Sequence, residues 1–216
     1  MTNKTNPTHL SYSSNLSHLS NSIRRLADKK MENQNQNLTF THGGYRQLES
    51  FKMATLVYDF TMEFCQKFID FKSRTKDQME QAARSGRQNI AEGSKAAATS
   101  KKTEIKLTNV ARASLEELLL DYEDFLRQHK LQLWDKNSDE VRAIRKLAYI
   151  KDKTDATYST YTTNLESFAN LLICLIHQTN YLLDRQIQKL SEDFLNQGGF
   201  TERLYQQRSK IRETKF

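Results

Sequence analysis

Gln78-Met79-Glu80-Gln81-Ala82-Ala83-Arg84-Ser85-Gly86-Arg87-Gln88-Asn89-Ile90-Ala91-Glu92-Gly93 is the stretch whose reading decides the fold. Met79, Ala82, Ala83, Gly86, Ile90, Gly93 and Ala97 recur every three or four residues, so a helix gathers them into one stripe of mostly small side chains. Such a stripe lets another backbone come unusually close. Glycine inside a helix costs about 1 kcal/mol relative to alanine, so Gly86 points to close packing or a local bend rather than to a simple interruption. Arg84, Arg87 and Lys95 fall off the stripe, which pairs a tight seam with a basic outer surface.

Composition narrows the class around this helix. In 216 residues there are one proline and six glycines, too few for the tight turns of a sandwich or barrel, so the chain reads as all-α. A hydrophobic fraction of 37% is low for a chain folded throughout and predicts unfolded ends around one core. The net charge of +7 favours an anionic partner without naming one. Cys65 and Cys174 each lie in an apolar run without metal-ligand spacing, which reads as buried reduced thiols and a cytoplasmic location.

The periodicity predicts four long helices. From Tyr45 to about Phe71, Leu48, Phe51, Thr55, Tyr58, Met62, Cys65 and Ile69 have the spacing of a bundle seam, with Phe60, Phe64, Phe68 and Phe71 on a second face. The opening stretch lies on the second helix, roughly Lys76 to Ala97. Ala98-Thr99-Ser100 supplies a turn and an N-cap for a third helix through Ile105, Thr108, Leu115, Leu119, Tyr122 and Leu126, with a companion row of Leu107, Ala111, Leu118 and Phe125. So short a connection predicts that helices two and three run antiparallel. Asn137-Ser138-Asp139-Glu140 reads as a capping box for a short helix within an irregular connection, residues 130–162. Thr163-Asn164-Leu165-Glu166 reads as a second box, opening a fourth helix. Its apolar run, Leu171 to Ile176, is far shorter than the roughly 20 residues that span a bilayer, so no membrane partner is expected. Gly198-Gly199 stops it ahead of a tail bearing Arg208, Lys210, Arg212 and Lys215.

The whole is expected to be an antiparallel up-down four-helix bundle over residues 45–195, with a C-terminal basic suffix at 196–216. Residues 1–44, rich in Asn, Ser and Thr and lacking an apolar h-region, form an expected disordered polar arm. Within it, Leu16, Leu19, Ile23 and Leu26 have the spacing of a short basic amphipathic helix.

With the helices placed, Asn89-Ile90-Ala91-Glu92-Gly93 and the run leading to it resemble the signature of the four-helix-bundle proteins encoded by intervening sequences of bacterial large-subunit rRNA genes. Ser100-Lys101-Lys102-Thr103-Glu104 and Ala111-Arg112-Ala113-Ser114-Leu115-Glu116-Glu117-Leu118 match the third helix of that family, and the resemblance covers roughly Tyr45 to Leu195. The long connection after helix three and the Gly-Gly-Phe-Thr-Glu-Arg-Leu-Tyr end resemble its suffix-bearing subgroup. The family includes the accessory variability protein of diversity-generating retroelements. The resemblance therefore implies a homopentamer that binds RNA or DNA and a reverse transcriptase partner.

For catalysis the chain lacks a convergent constellation: there is no His-Glu-x-x-His, no phosphate-cradling glycine loop and no paired Cys-x-x-Cys. We expect no enzyme, no cofactor and no metal. Cys174 and His177 share a helix face but are embedded in Leu and Ile, which favours core packing. Glu92 beside Ser94 and Lys95 reads as a local hydrogen-bonding or ion-pairing group. Nucleic-acid binding needs only clustered cations. Arg84, Arg87, Lys95, Lys101, Lys102, Lys106 and Arg112, set against Glu80, Glu92 and Glu104, give one hairpin a net charge of +4. The competing reading is a protein–protein interaction scaffold whose basic surface is an ordinary solvated face.

Overall fold

In the computed structural model the described residues are 44–150 and 153–213, all of them helical or in connections, with no strand among them. The expectations for residues 1–43 lie outside that range. After a 3-10 turn at Tyr45–Gln47 the helices are α1 Glu49–Phe68, α2 Arg74–Ala96, α3 Lys101–Gln128, α4 Asp139–Leu147, α5 Asp155–Tyr158, α6 Leu165–Gln197 and α7 Phe200–Glu213. One compact unit extends as far as Phe200; α7 is a polar helix with no buried residue.

Within the compact unit the four long helices contact one another in cyclic order: α1 packs on α2, α2 on α3, α3 on α6 and α6 on α1. The closest of these contacts is the seam on α2. Met79, Ala82, Ala83, Gly86, Ile90, Gly93 and Ala97 are all buried. A Cβ built on Gly86 would stand 2.7 Å from Leu115 Cδ2, and one on Gly93 would stand 3.3 Å from the Glu104 carbonyl oxygen. At Gly86 the space a methyl group would need is filled by a neighbouring leucine, which is why glycine is tolerated mid-helix.

Ser100 Oγ accepts the Thr103 backbone N–H and caps α3. The rows through Thr108, Leu115 and Tyr122 and through Ala111, Leu118 and Phe125 are both buried, because α3 faces α2 on one flank and α6 on the other. Ile105 and Leu107 at the helix start are only half-buried.

Two expectations about α1 and the caps are corrected. The seam of α1 runs through Ser50, Met53, Ala54, Val57, Phe60, Thr61, Phe64 and Cys65; of the expected row only Cys65 is fully buried. Phenylalanine decides the rotation of the helix. Phe64 meets Tyr122, Phe125 and Phe168 edge-on at centroid distances of 5.2, 5.1 and 5.5 Å, while Phe60 meets Phe168 and Tyr158. Burying those rings removes more apolar surface from water than burying Thr55 and Met62 would. Phe71, beyond the helix, is exposed. The caps lie elsewhere than the two boxes require. Ser138 Oγ receives Val141 N–H to open α4, and Asn164 Oδ1 receives Ser167 N–H to open α6. Glu166, freed from boxing, accepts the Gln132 N–H 34 residues away.

Helix α6 is buried on every side from Phe168 to Ile176, since α4 and the 3-10 turn Ser159–Thr162 pack on it as well as α1 and α3. An all-round apolar helix needs such complete enclosure. Asn170, inside this run, fixes the connection after α3: its Oδ1 accepts Trp134 N–H at 2.8 Å and its Nδ2 donates to the Gln132 carbonyl at 2.8 Å. Gly198, at φ 66°, ends the helix in the left-handed region open to glycine.

Candidate nucleic-acid interface

The seven basic residues expected to contact phosphate do not form a single cluster. Lys95, at the end of α2, and Lys102 and Lys106, in the first turns of α3, are exposed around the α2–α3 turn. Arg84 is also exposed but lies 11 residues earlier, about 16 Å along the α2 axis at 1.5 Å per residue. None of these four has a carboxylate partner among the described residues. Lys95 Nζ lies 5.8 Å from the Tyr45 ring centroid, a contact that leaves its charge unneutralised.

The other three are engaged. Arg87 lays its guanidinium 4.0 Å from the Tyr58 ring centroid, on the α1 side of α2. Its charge opposes the burial that raises the Asp59 carboxyl above its ordinary value. Lys101 Nζ sits 3.1 Å from Glu104 Oε2, and both side chains are largely buried, at 15% and 9% exposure. Arg112 Nε pairs with Asp184 Oδ1 and so ties α3 to α6; the contact is ionic rather than an aligned hydrogen bond. Glu92 is exposed and pairs with neither Ser94 nor Lys95, contrary to the local pairing expected from the sequence.

Burial pushes the Cys65 thiol up to about 12 and the Cys174 thiol up to about 11, the latter despite the nearby positive charge of Arg145. Neither sulfur forms a thiolate near neutral pH, and both are free. Cys174 is buried while His177, three residues on, is exposed. Among the described residues no group of three His, Cys, Asp or Glu side chains converges as metal ligands, and no helix is long and apolar enough to cross a membrane.

A groove of about 1050 Å3 opens between α1, α4, α6 and the segment after α3. Its floor is apolar, from Met53, Val141, Ile173 and Leu182, and its rim carries Trp134, Tyr149 and Tyr181. Periodicity could not find it, because its walls come from segments up to about 130 residues apart. The one legible signal was the outward row His177, Tyr181 and Arg185 at four-residue steps on an otherwise apolar helix. Set against protein-family models, curated proteins and solved structures, the chain matches none of them.

Proposed function

We propose that this chain is a non-enzymatic nucleic-acid-binding accessory protein, built as an antiparallel up-down four-helix bundle and working in a reducing cytoplasmic compartment. The observation that carries the reading is the set of exposed cations Arg84, Lys95, Lys102 and Lys106, without a carboxylate partner among the described residues, on two adjoining helices. Side chains of this kind neutralise phosphates and release counterions, and they read charge and shape rather than base sequence. Support for the bundle is the cyclic packing of α1, α2, α3 and α6, together with the way Gly93 faces Glu104 and Leu107 while Gly86 faces Ala111 and Leu115. The homopentamer, the place in the rRNA intervening-sequence family and the reverse transcriptase partner rest on the resemblance of the Asn89–Gly93 and Ser100–Leu118 motifs. In a closed ring the cation set would repeat with each protomer and raise avidity without new contacts.

The alternative is a protein scaffold, favoured by the engagement of Arg87, Lys101 and Arg112 within the chain and by Val110 and Leu120, which are exposed on α3. Salt dependence separates the two. Four phosphate contacts on a single strand predict a slope of log K on log salt near −3 per protomer, at about −0.7 per contact. Reversing Arg84, Lys95, Lys102 and Lys106 to Glu should remove most of the affinity and flatten the slope, measured by anisotropy of labelled RNA, with the absolute mass recorded alongside. An oligomer that ignores RNA at low salt leaves the scaffold.

A further inference from the structure

We propose that the groove beside α6 holds an unpaired base of a single-stranded nucleic acid, an inference that rests on the nucleic-acid reading and names the form of the ligand. Three aromatic side chains line it. Trp134 is half-buried and held edge-on to Tyr161 at 6.4 Å, whereas Tyr149 and Tyr181 are 90% and 60% exposed. Rings this open on the rim of an apolar groove are platforms for stacking, and a base offers a flat face to any of them.

The charges around these rings favour an anion. Lys136 and Arg145 line the groove and have no carboxylate partner among the described residues, while Arg185 lies 6.0 Å from the Tyr181 ring centroid. Three acids line the groove too: Glu49 is held by Lys52 and Lys153, Asp135 accepts the Asn137 backbone N–H, and Glu123 stands against the cations, so the four Lys and Arg side chains of the lining exceed its three carboxylates by one. Cations interleaved with aromatics suit a backbone phosphate next to a stacked base better than they suit a neutral or basic peptide. Gln178, also in the wall, has both its amide nitrogen and its amide oxygen buried without a hydrogen-bond partner among the described residues. Both atoms have almost no surface open to solvent, so a base edge, which presents an acceptor next to a donor, reaches them once the Gln178 side chain turns into the groove. Duplex nucleic acid has its bases stacked and paired, so it offers phosphates but no free base face or edge.

Trp134 is the single tryptophan of the chain, and its emission reports occupancy of the groove directly. The full chain is titrated with a twelve-residue oligouridylate, with the same strand annealed to its complement, and with uridine monophosphate, following both Trp134 emission and anisotropy of labelled strand. The single strand should quench Trp134 saturably and the duplex should not. Tyr149→Ala, at a ring that is 90% exposed, should weaken strand binding roughly 5- to 150-fold, the range for loss of one stacked base, with unchanged circular dichroism. Arg145→Glu should weaken it further with unchanged circular dichroism. Strand binding that leaves Trp134 emission unaltered and survives both substitutions overturns the groove while the cations of α2 and α3 stand. Equal affinity for the mononucleotide assigns the groove to a free nucleotide and overturns the strand. Absence of any binding at low salt overturns the nucleic-acid reading and this inference together.

Discussion

Replacing Gly86 with alanine tests the seam on which α2 and α3 close. Two effects oppose each other. Alanine is favoured over glycine by about 1 kcal/mol in a helix interior, which would stabilise the chain. Against this, the new Cβ would stand 2.7 and 2.8 Å from Leu115 Cδ2 and Cγ, where carbon atoms in good contact keep about 3.5–4.0 Å. Leu115 has no exposed surface, and its Cγ can withdraw only by leaving its rotamer or moving the α3 backbone. Overpacking of this kind costs about 1–3 kcal/mol, so the net expectation is a loss of about 1 kcal/mol. Gly93→Ala is the control. Its Cβ meets Leu107 Cβ at 3.4 Å and the Glu104 carbonyl oxygen at 3.3 Å, a smaller overlap that the propensity gain should nearly cancel. Urea unfolding followed by circular dichroism gives both values, provided the slope with denaturant stays constant. Leu115→Ala alone should cost about 2–5 kcal/mol and should cost at least 1 kcal/mol less in the Gly86→Ala background, where it makes room for the methyl group. If Gly86→Ala stabilises by a full 1 kcal/mol and shows no coupling to Leu115, the close-packing account of the seam is wrong.

Two further outcomes follow from polar groups in and near the core. Asn170→Asp keeps the acceptor for Trp134 N–H but sets a carboxylate oxygen against the carbonyls of Gln132 and Glu166, so it should cost about 3 kcal/mol and shift Trp134 emission to the red; an unchanged spectrum would show that the segment is anchored elsewhere. Asp121 has a buried Oδ2 with no hydrogen-bond partner among the described residues, and burial together with the neighbouring charges of Glu117 and Asp124 raises its carboxyl above the ordinary value. The folded chain then holds this proton more tightly than the unfolded chain. Its contribution to stability is complete below the unfolded value near 4 and is lost as pH rises through the folded value. Asp121→Asn should therefore raise the urea midpoint at pH 7 and lose most of that advantage below about pH 4; an equal advantage at both values refutes the assignment.

The helical class, the small-residue stripe on α2, the Ser100 cap and the stop at Gly198 were legible in the chain itself, because each depends on residues within a turn or two of one another. Periodicity registers such local regularities and little else. It misplaced the face of α1, since Leu48–Ile69 and Phe60–Phe71 are both plausible rows and only contact with Tyr122, Phe125, Tyr158 and Phe168 selects between them. The basic cluster fared likewise. Residues close in sequence gave Arg84, Arg87, Lys101 and Arg112 the look of one patch, but a helix turns 100° per residue and climbs 1.5 Å. Arg87 is thereby delivered to Tyr58 and Arg112 to Asp184, while Arg84 is left a long way from the turn. The groove was beyond reach for the same reason on a larger scale. Trp134, Arg145, Tyr149 and Gln178 lie on different segments, and what joins them is the docking of the connection onto α6 through Asn170 and Glu166. Sequence spacing determined which residues share a helix face; which cations stay free and which aromatics meet was decided by the packing of helices distant along the chain, because only that packing fixes the neighbours of each face.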